Sequence, residues 1–111
     1  MRLYRAMSRE EWRATQALGR PAYIGRWKWF SPDRVWVQAR VMDGEFNNSR
    51  FVPDRYCVLV EFQLRGSEEK WFAKNRGCCH CGKREWALHK RQAHQVQWLG
   101  VSLVMTLGPL L

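Results

Sequence analysis

The sequence predicts an α+β fold: a compact single domain, residues 1–111, with a mixed central β-sheet and two or three short helices. Three observations predict it. A chain of 111 residues has enough apolar material for one core and not for two. Apolar residues alternate as in strands at Arg2–Met7 and Arg55–Leu64. Helix-capping residues stand between these segments, and no repeat or linker divides the chain.

The first strand and the first helix are predicted from a short N-terminal pattern. Arg2–Met7 is apolar and alternating, which is typical of a strand. Ser8 and Glu11 have the spacing of a capping box, in which the serine hydroxyl accepts a hydrogen bond from the amide three residues later. Gly19 is placed to end the helix, because glycine readily adopts the left-handed backbone that closes helices.

The next segment runs from an aromatic loop into a second helix. Tyr23–Phe30 is predicted as a loop that leads into a short strand ending at Trp29 and Phe30. The Ser-Pro-Asp run at 31–33 predicts a helix start, with the serine as cap and the proline in the first helical position. A helical stripe would then comprise Val35, Ala39 and Met42. The apolar residues from 35 to 41 also alternate, so a strand stays open as the alternative.

The second half of the chain predicts the centre of the sheet and its closing strands. Arg55–Leu64 is expected to be the central strand, because one face is continuously apolar. A short helix is expected from Ser67 to Gly77. Two closing strands follow at Arg84–His89 and Gln95–Val104, joined by a basic turn at 90–93. The tail that begins at Val96 is expected to start as a buried terminal strand.

The charge balance favours an anionic partner. Lys and Arg total 19 against 10 Asp and Glu, a net charge of +9. Arg outnumbers Lys, which favours planar, bidentate recognition of phosphate or carboxylate. A phosphorylated ligand or a polyanion fits this balance, and a solubilising surface charge is the alternative.

The same composition predicts a cytoplasmic protein without membrane partners. The first residues lack the apolar core of a secretory signal. The apolar tail is interrupted by polar residues and is shorter than the ~20 residues that span a bilayer. Three of the four cysteines cluster within four positions, which suits a metal site or reduced thiols better than disulfides. The cysteines are Cys57, Cys78, Cys79 and Cys81.

Three short segments together carry a resemblance to a family. They are the opening run from Leu3 to Ser8, the run Lys28–Ser31 before a capped helix, and Glu85 with Trp86 on a late strand. In order and context they resemble the three-part signature of small ADP-ribosyltransferase-like proteins of bacteria and phages. The resemblance implies an ADP-ribosyltransferase-like fold that binds NAD as its substrate.

The resemblance also implies a role for each matching residue. By position, Arg5 would hold the phosphates or ribose of NAD, Ser31 would brace the pocket, and Glu85 would bond the ribose. Tyr4, Trp29 and Phe30 would line the pocket beside them, with the aromatic cluster stacking on nicotinamide or adenine. Cleavage of the nicotinamide–ribose bond develops positive charge on the sugar, and a carboxylate such as Glu85 stabilises that state.

Ordinary structural roles are available for the same residues. Arg5 could be an edge-strand surface charge, Ser31 a helix cap, and Glu85 a strand residue paired with a neighbouring cation. Lys83 stands two residues before Glu85, where many family members place Glu or Gln to choose the acceptor. The acceptor of ADP-ribose is therefore not specified by the sequence.

A cysteine and histidine cluster predicts a competing site for zinc. Cys78 and Cys81 form a knuckle-like pair, and His89 with His94 would complete a tetrahedral site. Seven residues separate Cys81 from His89, which is shorter than the zinc-finger spacing of ~12. Reduced thiols in a turn are the alternative, with Cys57 buried as a small hydrophobe. With zinc, a basic aromatic surface forms from Lys70, Trp71, Lys74, Arg76, Lys83, Arg84, Lys90 and Arg91.

Three functions follow from these patterns. The first is an ADP-ribosyltransferase-like enzyme that modifies a host protein or nucleoprotein complex, for example as a phage or mobile-element effector that inhibits a host system. The second is a non-enzymatic basic module that binds nucleic acid by phosphate neutralisation and stacking, stapled by zinc. The third is a catalytically inactive transferase fold that serves as a binding surface.

Overall fold

The computed structural model describes residues 1–23, 25–42, 57–65 and 86–106, and these form five strands and three helices. The predicted strand at the N-terminus and the predicted short strand ending at Phe30 are confirmed. The predicted helix at 67–77 and the loop at 43–56 lie outside the described residues. In chain order the elements are β1 (Arg2–Met7), α1 (Arg9–Leu18), β2 (Trp27–Phe30), α2 (Arg34–Met42), β3 (Val58–Leu64), β4 (Trp86–His89), α3 (Lys90–Gln95) and β5 (Trp98–Thr106).

The strands form two antiparallel sheets that together with the helices give an α+β arrangement. One sheet has the order β1-β3-β5, so β3 is central as predicted. The other pairs β2 with β4. Every pairing between described strands is antiparallel, whereas the sequence analysis expected one mixed sheet. The two sheets meet where Tyr4 of β1 pairs with Ser31 at the end of β2.

Alternation along β1 and β3 divides the core between two faces of the larger sheet. Phe62, which is fully buried, lies in the larger cluster and packs edge-on against Phe30, with ring centroids 5.4 Å apart. Trp98 completes an aromatic group with both rings. The smaller cluster on the opposite face joins Leu59 to Val37 of α2. The side chains of successive strand residues therefore enter different clusters, as the period of two requires.

The first helix has the ends that the sequence predicts. The Ser8 hydroxyl accepts a hydrogen bond from the Glu11 amide at 3.1 Å. Gly19 closes the helix with φ at 69°, and its amide donates to the Thr15 carbonyl. A non-glycine residue would be strained at this φ.

The second helix is confirmed as a helix, but its cap and its buried stripe differ from the prediction. Asp33 is the capping residue, since its carboxylate accepts from the Trp36 amide at 3.0 Å. The helix begins at Arg34, so the preceding proline lies outside it. Val35 is 75% exposed, and Val37 is the buried residue. The predicted stripe through Val35 is therefore wrong, because α2 turns Val37 and not Val35 towards the sheet.

The C-terminal part differs from the prediction in two places. The basic segment after β4 is the six-residue helix α3 and not a turn, because His89 and Gln92 form a capping box around its first residues. β5 is an edge strand with half-exposed side chains, including Leu99 and Leu103, and not a buried one. No helix in the described ranges has the length and apolar character that crossing a membrane requires.

Candidate functional site

The contact between the two sheets brings the first two predicted site segments together. The Tyr4 amide donates to the Ser31 carbonyl at 2.7 Å, and the Ser31 amide donates to the Tyr4 carbonyl at 2.9 Å. Arg5 follows directly in β1, and its Nη1 donates to the Trp29 carbonyl at 3.1 Å. We call this contact the β1–β2 junction. Arg5 and Ser31 are far apart in sequence and are neighbours at the junction.

A group of charged side chains lies next to the junction. The Arg5 guanidinium binds the Glu11 carboxylate in a bidentate arrangement, with Nε 2.6 Å from Oε2 and Nη2 2.9 Å from Oε1. Lys28 Nζ lies 3.1 Å from Oε1 of the same carboxylate. Each of the three side chains is 15% exposed or less. We call these three residues the Arg5–Glu11–Lys28 cluster; it contains two cations and one anion.

The electrostatics of the cluster keep Glu11 ionised. Burial alone would raise the pKa of the Glu11 carboxyl, because it removes water from the charged form. Hydrogen bonds and charge from Arg5 and Lys28 act in the opposite direction and outweigh burial, so the pKa is lowered from its ordinary value of 4.5. A carboxylate held in this way neutralises one of the two adjacent cations at neutral pH.

Tyr23 borders the cluster on the side of Lys28. Its ring lies 5.7 Å from Lys28 Nζ, within the range of a cation–π contact. Its hydroxyl donates to the Leu88 carbonyl at 3.0 Å, which ties the loop before β2 to β4. Burial raises the pKa of this hydroxyl, so Tyr23 stays protonated and neutral at neutral pH.

Glu11, Lys28 and Tyr23 are not among the site residues predicted from the sequence. Glu11 was expected in the helix cap, but only its amide takes that part, and its carboxylate extends to Arg5 and Lys28. The order of strand, cap and helix in the sequence contains a signal for the contact between Arg5 and Glu11. An Arg near the end of β1 and a Glu in the first turn of α1 are only six residues apart and meet across the turn.

Ser31 is placed as a structural brace. Ser31 is 1% exposed, and its hydroxyl accepts a hydrogen bond from the Asp33 amide at 3.1 Å. It therefore shapes the turn between β2 and α2, and Asp33 caps the helix itself. Ser31 lies at the junction, but its hydroxyl is directed into the protein's own backbone.

The three aromatic residues predicted to line the pocket differ in exposure. Trp29 is 39% exposed on β2, beside the carbonyl that binds Arg5. Phe30 is 1% exposed and packs in the core. Tyr4 is also buried, and its hydroxyl donates to Glu61 at 3.2 Å. Burial, with the nearby Glu61 charge, raises the pKa of Tyr4. Of the three, Trp29 offers the exposed ring surface.

The remaining predicted site residues fall partly outside the described ranges. Glu85, Cys78 and Cys81 are not among the described residues. The His89 Nδ1 accepts a hydrogen bond from the Arg91 amide at 3.1 Å, so this nitrogen takes part in the start of α3. His94 is exposed in the last turn of α3. Within the described ranges no three His, Cys, Asp or Glu side chains group as metal ligands.

The fold and the site define an α+β protein with a largely buried cluster of charged side chains beside a sheet-to-sheet junction. No family model matches the chain, and no curated protein or solved structure matches it either. A function for the chain therefore has to be inferred from the junction, the cluster and the chemistry of their residues.

Proposed function

We propose that this chain is an ADP-ribosyltransferase-like protein that binds NAD at the β1–β2 junction and transfers ADP-ribose to a macromolecular acceptor. The observation that carries the proposal is the backbone pairing of Tyr4 with Ser31. This pairing places Arg5 and Ser31, the first two members of the predicted set, at one location. A chance match of two short motifs would have no reason to bring them together in the fold.

The third segment adds support through its neighbour in the chain. Trp86, which follows Glu85 in the sequence, pairs with Phe30, and Phe30 directly precedes Ser31. The strands that carry the three motif segments therefore lie in the spatial order β1, β2, β4. We assign Glu85 the ribose-bonding and charge-stabilising role in this arrangement.

The charge of the cluster suits the pyrophosphate of NAD. Arg5 and Lys28 both bring a positive charge to this place, and cationic side chains attract a phosphate. Three of the five Arg5 N–H groups donate to Glu11 and Trp29, and a phosphate oxygen would take the other two. Glu11 then keeps the guanidinium in one orientation before NAD binds.

The other residues take roles that their exposure allows. Trp29 provides the ring that stacks on nicotinamide or adenine, since Phe30 is committed to the core. Ser31 acts as a positioning residue through the turn that it braces. In the transfer step the bond between the ribose C1′ and nicotinamide breaks, nicotinamide leaves with the bonding electrons, and an acceptor nucleophile forms the new bond to C1′. Glu85 stabilises the positive charge that develops on the sugar.

The proposal is tested by the release of nicotinamide from NAD. We expect purified protein to release nicotinamide, and Glu85→Gln to slow that release by about 100-fold or more, because one charged stabiliser of the transition state is lost. Glu10→Gln makes the same charge change on the exposed face of α1 and should retain the wild-type rate. Unchanged turnover in Glu85→Gln would remove Glu85 from the site, and a wild-type protein that neither binds NAD nor releases nicotinamide would refute the proposal.

A further inference from the structure

A second group of basic residues surrounds an open cavity. This group shares no residue with the three motif segments on which the proposed NAD site depends. The cavity has a volume of about 370 Å³ and is lined by Arg26, His89, Lys90 and Arg91. Among the described residues that line it, three are cations and none is acidic. The three cations are exposed, so they meet any ligand without a rearrangement of the core.

The backbone places two of these cationic residues next to each other. Trp27 pairs with His89 in the β2–β4 ladder, and the Lys90 amide donates to the Arg26 carbonyl at 2.8 Å. This bond joins the residue before β2 to the first residue of α3, so the backbones of Arg26 and Lys90 are neighbours at the end of the ladder. Two cationic side chains carried by neighbouring backbones repel each other. An anion bound by both cations would relieve that repulsion.

The local backbone also fixes the shape of the cavity. The His89 amide donates to Gln92 Oε1 at 2.9 Å, and the His89 ring accepts from the Arg91 amide. These two bonds hold the corner where β4 turns into α3. The backbone positions of Lys90 and Arg91 relative to Arg26 are thus set by hydrogen bonds, so a ligand has to order the cationic side chains but not the backbone that carries them.

We propose that this cavity is a phosphate-binding site. A phosphate group matches it because its several oxygens accept hydrogen bonds from more than one cation at once, and because guanidinium forks match its geometry. The net charge of +9 adds a long-range attraction for such ligands. The phosphate can belong to a small phosphorylated molecule or to a nucleic-acid backbone. The site involves neither Arg5 nor Glu85, so it does not depend on the proposed binding of NAD.

The test uses inorganic pyrophosphate as the probe, followed by NMR of the ¹⁵N-labelled protein. We expect saturable shifts of the amides of Arg26, Lys90 and Arg91. Arg26→Gln should weaken binding about tenfold, because it removes a charge-assisted hydrogen bond. Arg13→Gln removes one positive charge from the exposed side of α1 and should leave the Kd within about twofold. Lys90→Gln is a second site variant if Arg26→Gln fails to give a folded spectrum.

A parallel titration with a short single-stranded oligonucleotide distinguishes the two sources of phosphate. Shifts of the same amides with a comparable loss in Arg26→Gln would assign the site to a nucleic-acid backbone. A response to pyrophosphate with none to the oligonucleotide would assign it to a small phosphorylated ligand. Equal weakening in Arg26→Gln and Arg13→Gln would mean diffuse attraction only and would overturn the proposal, as would the absence of saturable shifts at the cavity.

Discussion

Glu11 determines the state of the charged cluster, because its single carboxylate holds two cationic side chains that lie mostly out of water. The Arg5 contact is bidentate, which gives it both strength and direction. Lys28 adds a charge-assisted contact to Oε1, the oxygen that also accepts from Arg5 Nη2. Removing the carboxylate would leave two like charges close together with little solvent to screen them.

The first prediction concerns the charge of this carboxylate. Glu11→Gln should lower the free energy of unfolding by about 3 kcal/mol, since Arg5 and Lys28 lose the charge of the carboxylate that they share in a largely buried place. Urea unfolding followed by tryptophan fluorescence measures the change. Glu10→Gln, a matched variant on the exposed side of the same helix turn, should stay within about 0.5 kcal/mol of wild type. Equal effects of the two variants would contradict the importance of the cluster.

The second prediction concerns the pH dependence of the same group. Because the folded state lowers the pKa of Glu11 below 4.5, the folded state binds its proton less readily than the unfolded state does. The stability from Glu11 is therefore fully present above pH 4.5 and is lost as the pH falls through the lowered value. The gap in unfolding free energy between wild type and Glu11→Gln should shrink from about pH 6 to about pH 3. A difference in unfolding free energy that stays constant across this range would show that folding does not lower the pKa of Glu11.

At the scale of the elements, the start of α2 links the junction to the helix that covers the larger sheet. The Ser31 hydroxyl accepts from the Asp33 amide, and the Asp33 carboxylate accepts from the Trp36 amide. The two bonds form a relay from the end of β2 into the first turn of α2. Val37, one residue further, is buried against Leu59. The relay therefore sets both the helix direction and its packing face.

A third prediction follows from this relay. Asp33→Ala should lower the free energy of unfolding by about 1 kcal/mol, because the cap of α2 is lost. Asp33→Asn keeps a side-chain oxygen that can cap, so it should retain most of the wild-type stability. Thermal unfolding followed by circular dichroism measures both variants. If Asp33→Ala and Asp33→Asn lost the same stability, the stabilisation would come from the charge of Asp33 and not from its capping hydrogen bond.

Local signals in the sequence were sufficient for some elements and insufficient for others. The alternation along β1 and β3 and the ends of α1 at Ser8 and Gly19 depend on residues close in the chain, and these predictions are confirmed. The cap of α2 was assigned two residues early, because Ser31 and Asp33 both have capping side chains and the backbone pairing of Ser31 with β1 decides between them. The helical form of α3 depends on the His89 capping box, which sequence periodicity does not show.

At the scale of the whole molecule, the site depends on contacts between residues distant in the chain. The resemblance alone implies that Arg5 and Ser31 belong to one site. That Lys28 shares the Glu11 carboxylate with Arg5 could not be predicted, since this requires β2 to lie against the β1–α1 unit. The basic cavity could not be predicted for the same reason. Arg26 and Lys90 are 64 positions apart in the sequence, and a backbone hydrogen bond joins them in the fold.

The most direct measurement is a titration of the ¹⁵N-labelled protein with NAD, followed by amide NMR. The account predicts saturable shifts at the β1–β2 junction, at the amides of Tyr4, Arg5, Trp29 and Ser31. It also predicts that Arg5→Lys raises the Kd about tenfold or more, because a lysine cannot replace the bidentate fork, while Arg13→Lys on the exposed side of α1 does not. Shifts that never saturate, or shifts confined to residues away from the junction, would contradict the binding of NAD at this place.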